Sequence, residues 1–145
     1  MQDFNSALYS PLVSTMETIF IVAFIFSCIL VLYLYKNKGN YLITALPLFV
    51  LASHQLEEYV LSPLMFGDKY HFLEWAFRSG VNISPIEVTT INSVPYFLLP
   101  LLFLLTPSTK IFSILFLFNS SLLLSNGMFH IGLATAQTDY SPGMI

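Results

Sequence analysis

Four long apolar stretches, separated by short polar segments, run through most of the chain. They cover residues 11–35, 41–66, 85–105 and 111–134. About 20 apolar residues in a helix cross a hydrocarbon core of about 30 Å, and each stretch has that length. Backbone groups in lipid need internal hydrogen-bond partners, so a spanning stretch is expected to be helical. The pattern predicts an all-α fold, a polytopic transmembrane helical bundle with four spans.

The connection between the second and third stretches, residues 67–84, is rich in aromatic side chains. Aromatic rings concentrate at the membrane–water interface. We therefore expect an interfacial aromatic segment here, with Tyr70, Trp75 and Arg78 as interface anchors. The whole chain, residues 1–145, is expected to form a single transmembrane domain.

Composition and charge narrow the class of protein. Hydrophobic residues make up 56% of the chain and charged residues only 9%, with a mean hydropathy of +0.75. Soluble globular domains carry about 25% charged residues. The net charge is −3 and the sequence has no basic cluster, which excludes nucleic acid as a partner. The chain has a single cysteine, Cys28, which excludes an internal disulfide. We expect a multi-pass integral protein of the cell (inner) membrane, with the lipid bilayer and a lipid-like ligand as partners; the oligomeric state stays open.

Ionisable side chains inside the predicted spans are the most informative feature of the sequence. Such groups are costly in a membrane and usually functional. The spans contain no lysine or arginine. The carboxyls must therefore be protonated, reach interfacial water, or be neutralised by a cation. The acidic residues and histidines within the spans are Glu17, His54, Glu57, Glu58, Glu87 and His130.

Spacing places several of these groups together. At 100° per residue, Glu57 and Glu58 lie about 60° and 40° to either side of His54 on a helix. Carboxylates mixed with imidazoles suit zinc, iron or manganese. We predict a divalent transition-metal site held by His54, Glu57, Glu58 and His130, with Glu58 and Glu57 also as catalytic residues. Weaker candidates for the same site are Glu17, Glu87, Asn92 and Asn126.

Two of these candidates have competing explanations. Glu17 lies near one end of its span, where it can reach interfacial water. Glu87 follows Ser84 with the spacing of a helix-capping box.

Three segments resemble a known family. His54-Gln55-Leu56-Glu57-Glu58 is similar to the signature of the HXXEE family of integral membrane proteins. The segments 126–130 (NGMFH) and 140–143 (YSPG) resemble that family's Asn-x-x-x-His and Tyr-Ser-Pro-Gly elements. The resemblance implies a polytopic helical protein that binds metal, without an agreed reaction. It also implies that a further C-terminal span would follow Ile145.

A fainter likeness is to the EXPERA superfamily, which includes sterol isomerases of the emopamil-binding type. The spacing of His54 and Glu58, and the position of Glu87 before Thr89 and Thr90, resemble the layout of that family. This resemblance implies proton transfer on a lipid-like substrate without metal.

Three functions therefore stay open at this point. The first is a metal-dependent membrane enzyme acting on a lipid-like or small apolar substrate, in which Asn126 orients His130 or hydrogen-bonds the substrate. The second is a metal-free, isomerase-type enzyme that uses a buried Glu/His pair for proton transfer. The third is a non-catalytic subunit for metal sensing, transport or assembly. We favour the first.

Overall fold

All regular elements of the described chain are helical, which confirms the predicted all-α class. The computed structural model describes residues 11–37, 42–98, 101, 105, 108–138 and 140–143, and no strand occurs among them. In chain order, the α-helices are α1 (Pro11–Asn37), α2 (Leu42–Leu56), α3 (Ser62–Phe66), α4 (Phe72–Arg78), α5 (Pro85–Ser93) and α6 (Thr109–Gln137). Further helical turns are π-helical at Glu57–Leu61 and Val94–Leu98, and 3₁₀ at Asp68–Tyr70.

Helices α1 and α6 have the length and apolarity of membrane spans. The segments concerned are Pro11–Asn37 and Thr109–Ala136, with mean hydropathies of 2.6 and 1.5 over their most apolar windows. Helix α6 begins where Ser108 accepts a hydrogen bond from the Ile111 N–H, at 3.2 Å, as an N-cap residue does. Two of the four predicted stretches thus form uninterrupted helices long enough to cross a bilayer.

The other two stretches are interrupted by π-helical turns next to prolines. The helical backbone continues from α2 through Glu57–Leu61 into α3, because the flanking residues Leu56 and Ser62 keep right-handed helical angles. Pro63 has no N–H to donate to the carbonyl one α-helical turn earlier, and a wider π turn accommodates the loss. In the third stretch, Pro95 lies within the π-helical turn Val94–Leu98.

Only part of the third stretch, residues 85–105, lies within the described residues. Its first turn carries the expected capping box, in which Ser84 and Glu87 bond each other's backbone N–H groups. Residues 99–100 and 102–104 lie outside the description. Helix length alone therefore establishes two candidate spans rather than four.

The core forms where α1 packs on α2 and α2 packs on α6. One buried cluster includes Phe20 of α1, Tyr59, and Phe72 and Trp75 of α4. Trp75 is only 1% exposed. The prediction of Trp75 as an interface anchor was therefore wrong, because the rings of Phe72 and Trp75 pack into the core with Phe20 and Tyr59.

A buried hydrogen bond joins α2 to the π-helical turn after α5. The Tyr96 hydroxyl donates to Oε1 of Gln55 at 2.6 Å, and both side chains are nearly inaccessible to solvent. Nε2 of Gln55 has no hydrogen-bond partner among the described residues. The amide therefore depends on this one contact.

We expect Tyr96→Phe to lower the free energy of unfolding by about 1 kcal/mol, because it leaves both polar atoms of the Gln55 amide buried and unpaired. The measurement is a denaturant titration in detergent micelles. Tyr35→Phe is the matched control, since Tyr35 is 70% exposed. Equal effects of the two substitutions would contradict the prediction.

Candidate metal centre

His54, Glu58 and His130 converge in the interior of the helical bundle. The distance from Glu58 Oε2 to His54 Nε2 is 3.6 Å, and the distance from Glu58 Oε1 to His130 Nε2 is 3.4 Å. One ligand atom from each of the three residues lies within 4.8 Å of the others. All three side chains are buried. This cluster could hold a metal ion.

The local fold explains the convergence. His54 and Glu58 are four residues apart on the continuous helical backbone of α2 and the π-helical turn, so their side chains lie on one face. His130 comes from α6, which packs on α2. The His54 and His130 rings meet edge to face, with centroids 5.0 Å apart.

One pair of acceptor atoms has the spacing expected for two ligands of a small cation. Donors about 2.1 Å from an ion, at a tetrahedral angle, lie roughly 3.4 Å from one another. Glu58 Oε1 and His130 Nε2 are separated by 3.4 Å. Nε2 of His130 has no hydrogen-bond partner among the described residues, although the ring is 1% exposed. A buried nitrogen facing a carboxylate oxygen in this way needs a proton or a cation between the two atoms.

Glu57 is adjacent to Glu58 but points to different partners. Its Oε1 accepts hydrogen bonds from the hydroxyl groups of Ser62 and Tyr140. Those two hydroxyl oxygens are 3.2 Å apart. Oε2 of Glu57 is buried and has no hydrogen-bond partner within the described part of the chain. The structure therefore separates Glu57 from the three converging residues.

The π-helical turn produces this separation. Its wider hydrogen-bonding pattern places the Ser62 N–H on the Glu57 carbonyl, five residues earlier, and the Ser62 hydroxyl on the Glu57 carboxylate. On an α-helix, residues five apart lie about 140° away from each other. Ser62 was therefore not recognisable as a partner of Glu57 from its spacing.

Asn126 contacts His54 rather than His130. Its Nδ2 lies 2.5 Å from His54 Nε2, so the amide can donate to the imidazole nitrogen. The expectation that Asn126 orients His130 was wrong, because residues 126 and 130 of α6 lie one turn apart along the helix and meet different neighbours. The residue that contacts His130 is Ser141, whose Oγ lies 2.8 Å from Nδ1.

The segment Tyr140–Gly143, which we call the strap, covers the cluster. Ser141, Pro142 and Gly143 are all buried. Tyr140 reaches Glu57, Ser141 reaches His130, and Gly143 lies against the His54 ring. The family resemblance of the strap was visible in the sequence, but nothing in its residues indicated contact with the two histidines.

The other three weaker candidates, Glu87, Asn92 and Glu17, are not among the converging residues. The exposed carboxylate of Glu87 is engaged in the capping box with Ser84. Asn92 is half-buried on α5, and its side chain makes none of the hydrogen bonds found among the described residues. Glu17 pairs with His71, with 3.4 Å between Oε1 and Nε2.

His71 forms a second, separate His/Glu pair at the start of α4. Its Nδ1 accepts the N–H of Leu73 at 3.3 Å, as an N-cap acceptor does. Neutral His71 therefore carries its proton on Nε2, which faces Glu17. Burial lowers the pKa of His71 to about 4, against a smaller opposing effect of Asp68.

Comparison with known proteins gives no relative. No family model matches the chain, and neither the curated proteins nor the solved structures that were compared gave a match. The functional argument therefore depends on the geometry of the site.

The lowered pKa of His71 predicts a pH-dependent stability. The unfolded chain takes up this proton near pH 6.5, whereas the folded protein does so only near pH 4. The contribution of neutral His71 to the free energy of unfolding is therefore fully present above about pH 6.5. It is lost as the pH falls toward 4, and the loss amounts to about 3 kcal/mol. We expect His71→Asn to remove this part of the pH dependence, since asparagine keeps the N-cap acceptor without the titration.

The measurement is denaturant unfolding of wild type and His71→Asn from pH 7.5 to 4. The difference between the two curves isolates His71 from the other titrating groups. Parallel curves for the two proteins would show that His71 is not a buried neutral imidazole.

Proposed function

We propose that this protein is a metal-dependent integral membrane enzyme acting on a lipid-like or small apolar substrate. The observation that carries the proposal is the meeting of buried acceptor atoms from His54, Glu58 and His130. The predicted spans contain no lysine or arginine that could neutralise the carboxylate. A divalent cation supplies the missing positive charge.

The donor set fits a catalytic site. Two histidines and one glutamate are a ligand set of catalytic zinc centres, which keep a further position open for water or substrate. The same mixture of imidazole and carboxylate also suits iron or manganese. Such an ion polarises a substrate oxygen or lowers the pKa of a bound water.

Glu57 is the residue we assign to proton transfer. Its Oε1 is held by Ser62 and Tyr140, while Oε2 is buried and has no hydrogen-bond partner among the described residues. A carboxylate fixed at one oxygen and open at the other can accept a proton from a reacting group and return it. In this proposal Glu58 is a ligand, and Glu57 acts as the general base.

The membrane assignment is supported by the surfaces of α1 and α6. Only 17% and 6% of their most apolar windows are buried inside the protein, unlike the core helix of a soluble domain. Large side chains such as Leu32, Leu124 and Met128 are more than 60% exposed. Contiguous apolar surface of this kind is typical of contact with lipid. We propose a four-span, multi-pass protein of the cell (inner) membrane, related to the HXXEE family.

An apolar groove along α6 supports a lipid-like ligand. It has a volume of about 370 Å³ and is lined by Pro47, Ser120, Leu123, Leu124, Gly127, Met128 and Ile131. Gly127 and Ile131 follow Asn126 and His130 in the chain, so the groove lies on a different side of α6 from those two side chains. A hydrocarbon chain could lie in this groove.

A metal-free proton-transfer enzyme is the second candidate. The 3.4 Å contact between Glu58 Oε1 and His130 Nε2 also fits a shared proton, with Glu58 as the acid. The two candidates differ in what occupies the space between these atoms. Elemental analysis for a bound metal ion distinguishes the two candidate functions.

We expect purified wild-type protein to carry one transition-metal ion per chain. His54→Ala, Glu58→Gln and His130→Ala each remove a ligand and should abolish stoichiometric binding. Glu57→Gln should retain the ion, since Glu57 bonds Ser62 and Tyr140 instead. The measurement is elemental analysis after purification without chelators.

His71→Asn is the matched control for these variants. It removes a histidine that is equally buried but lies outside the cluster, so the metal should be retained. Wild-type protein that carries no metal and takes up no added zinc, iron or manganese would refute the metal-dependent function. A lipid-shaped density beside Glu58 without an ion would then select the proton-transfer enzyme.

We expect Gly127→Leu to reduce co-purified lipid by about tenfold, equivalent to about 1.4 kcal/mol, because the new side chain fills the groove. A Cβ at Gly127 meets nothing within 4 Å, so the substitution needs no rearrangement. Gly132→Leu is the control on the same helix, with equally open space but outside the groove. Native mass spectrometry gives the lipid content, and equal lipid content in both variants would contradict the groove assignment.

A further inference from the structure

We propose that the strap, Tyr140–Gly143, is a built part of the metal centre: Ser141 fixes the tautomer of His130 and Gly143 makes room for the His54 ring. The inference rests on the proposed metal function and adds two positioning residues to it. Neither residue is a ligand, and each acts through a histidine.

The contacts of Ser141 determine where the His130 proton lies. The Ser141 side chain is completely buried, and its Oγ is 2.8 Å from His130 Nδ1. Its own hydroxyl donates to the Pro142 carbonyl at 3.4 Å, which leaves an oxygen lone pair for the histidine. In this proposal the His130 Nδ1–H donates to Ser141.

This arrangement leaves Nε2 of His130 as an unprotonated nitrogen. It faces Glu58 Oε1 and has no hydrogen-bond partner among the described residues. A metal-binding histidine needs this state, in which the far nitrogen donates to an oxygen and the near nitrogen offers its lone pair. Ser141 thus sets His130 in the form that binds a cation.

Gly143 acts on the other histidine by having no side chain. A Cβ at Gly143 would lie 2.5 Å from His54 Cε1 and 3.1 Å from both ring nitrogens. The residue also has a φ of +92°, which favours glycine. Any larger residue would displace either the strap or the His54 ring.

The backbone before the strap is also unusual. Thr138 ends α6 with a φ of 53°, an uncommon left-handed conformation for a β-branched residue. The chain then brings Ser141 onto His130, a residue 11 positions earlier. Backbone strain of this kind persists only where the surrounding structure holds it, which points to a requirement for the strap at this site.

The first test is the tautomer of His130 in metal-free protein. In ¹⁵N-histidine NMR we expect wild type to show Nδ1 protonated and Nε2 without a proton of its own, accepting the proton of a neutral Glu58 carboxyl, with the signal assigned by its absence in His130→Gln. Ser141→Ala should shift His130 toward a mixture of tautomers. Ser27→Ala is the control, because Ser27 is equally buried and bonds the Phe24 carbonyl on α1. An Nε2–H tautomer in wild type, or an unchanged spectrum in Ser141→Ala, overturns the role of Ser141.

The second test is Zn²⁺ affinity, measured by calorimetry. We expect Ser141→Ala to bind 10–100-fold more weakly than wild type, as is common when the partner of a metal-bound histidine is removed. Gly143→Ala should lose tight Zn²⁺ binding, because its Cβ would clash with the His54 ring. Gly80→Ala is its control, because Gly80 has a similar φ of +80° but open space at the Cβ position. Thermal unfolding of each pair separates loss of folding from loss of binding.

The outcomes separate the two proposals. Wild type that binds none of zinc, iron or manganese refutes the metal function, while the NMR measurement still decides the role of Ser141. Wild type that binds Zn²⁺, with Ser141→Ala and Gly143→Ala binding equally well, refutes the inference about the strap and leaves the metal function standing.

Discussion

The structure depends on one electrostatic constraint: acceptor atoms of His54, Glu58 and His130 meet inside an apolar bundle without a fixed positive charge. Burying a carboxylate among apolar side chains is costly unless a proton or a cation compensates it. Packing brings the three side chains together all the same, with His130 only 1% exposed and its Nε2 without a hydrogen-bond partner in the part of the chain that the structure describes. A chain selected only for stability would replace such a group by an apolar residue of similar size. The cost is better understood as the requirement of a site that binds something.

The surrounding fold gives the two neighbouring glutamates different tasks. An ordinary α-helix would present Glu57 and Glu58 on either side of His54, as one set of ligands. The π-helical turn that begins at Glu57 instead pairs Glu57 with Ser62, while Glu58 stays beside His54. In the function proposed above, one carboxylate binds a cation and the other accepts a proton. A single local change in helix geometry thus gives two adjacent residues different partners.

The partners of the histidines are as important as the histidines themselves. Asn126 holds one nitrogen of His54, and Ser141 holds one nitrogen of His130. The Ser141 contact lies on the His130 nitrogen that does not face Glu58, whereas the Asn126 contact lies on His54 Nε2, the same nitrogen that is 3.6 Å from Glu58 Oε2. A cation bound through His54 Nε2 would therefore displace the Asn126 contact.

Local sequence alone determined the helical class, the long apolar helices α1 and α6, the capping box of Ser84 with Glu87, and His54, Glu58 and His130 as candidate ligands. Each follows from hydrophobic periodicity, short-range capping, or the cost of an ionisable group in an apolar stretch. Tertiary structure alone decided that Trp75 is buried, that Asn126 contacts His54, that Glu57 pairs with Ser62 and Tyr140, and that the strap closes over the cluster. These contacts join residues up to 83 positions apart or depend on a π-helical turn. Periodicity describes one helix at a time, whereas these contacts arise only when separate segments pack together.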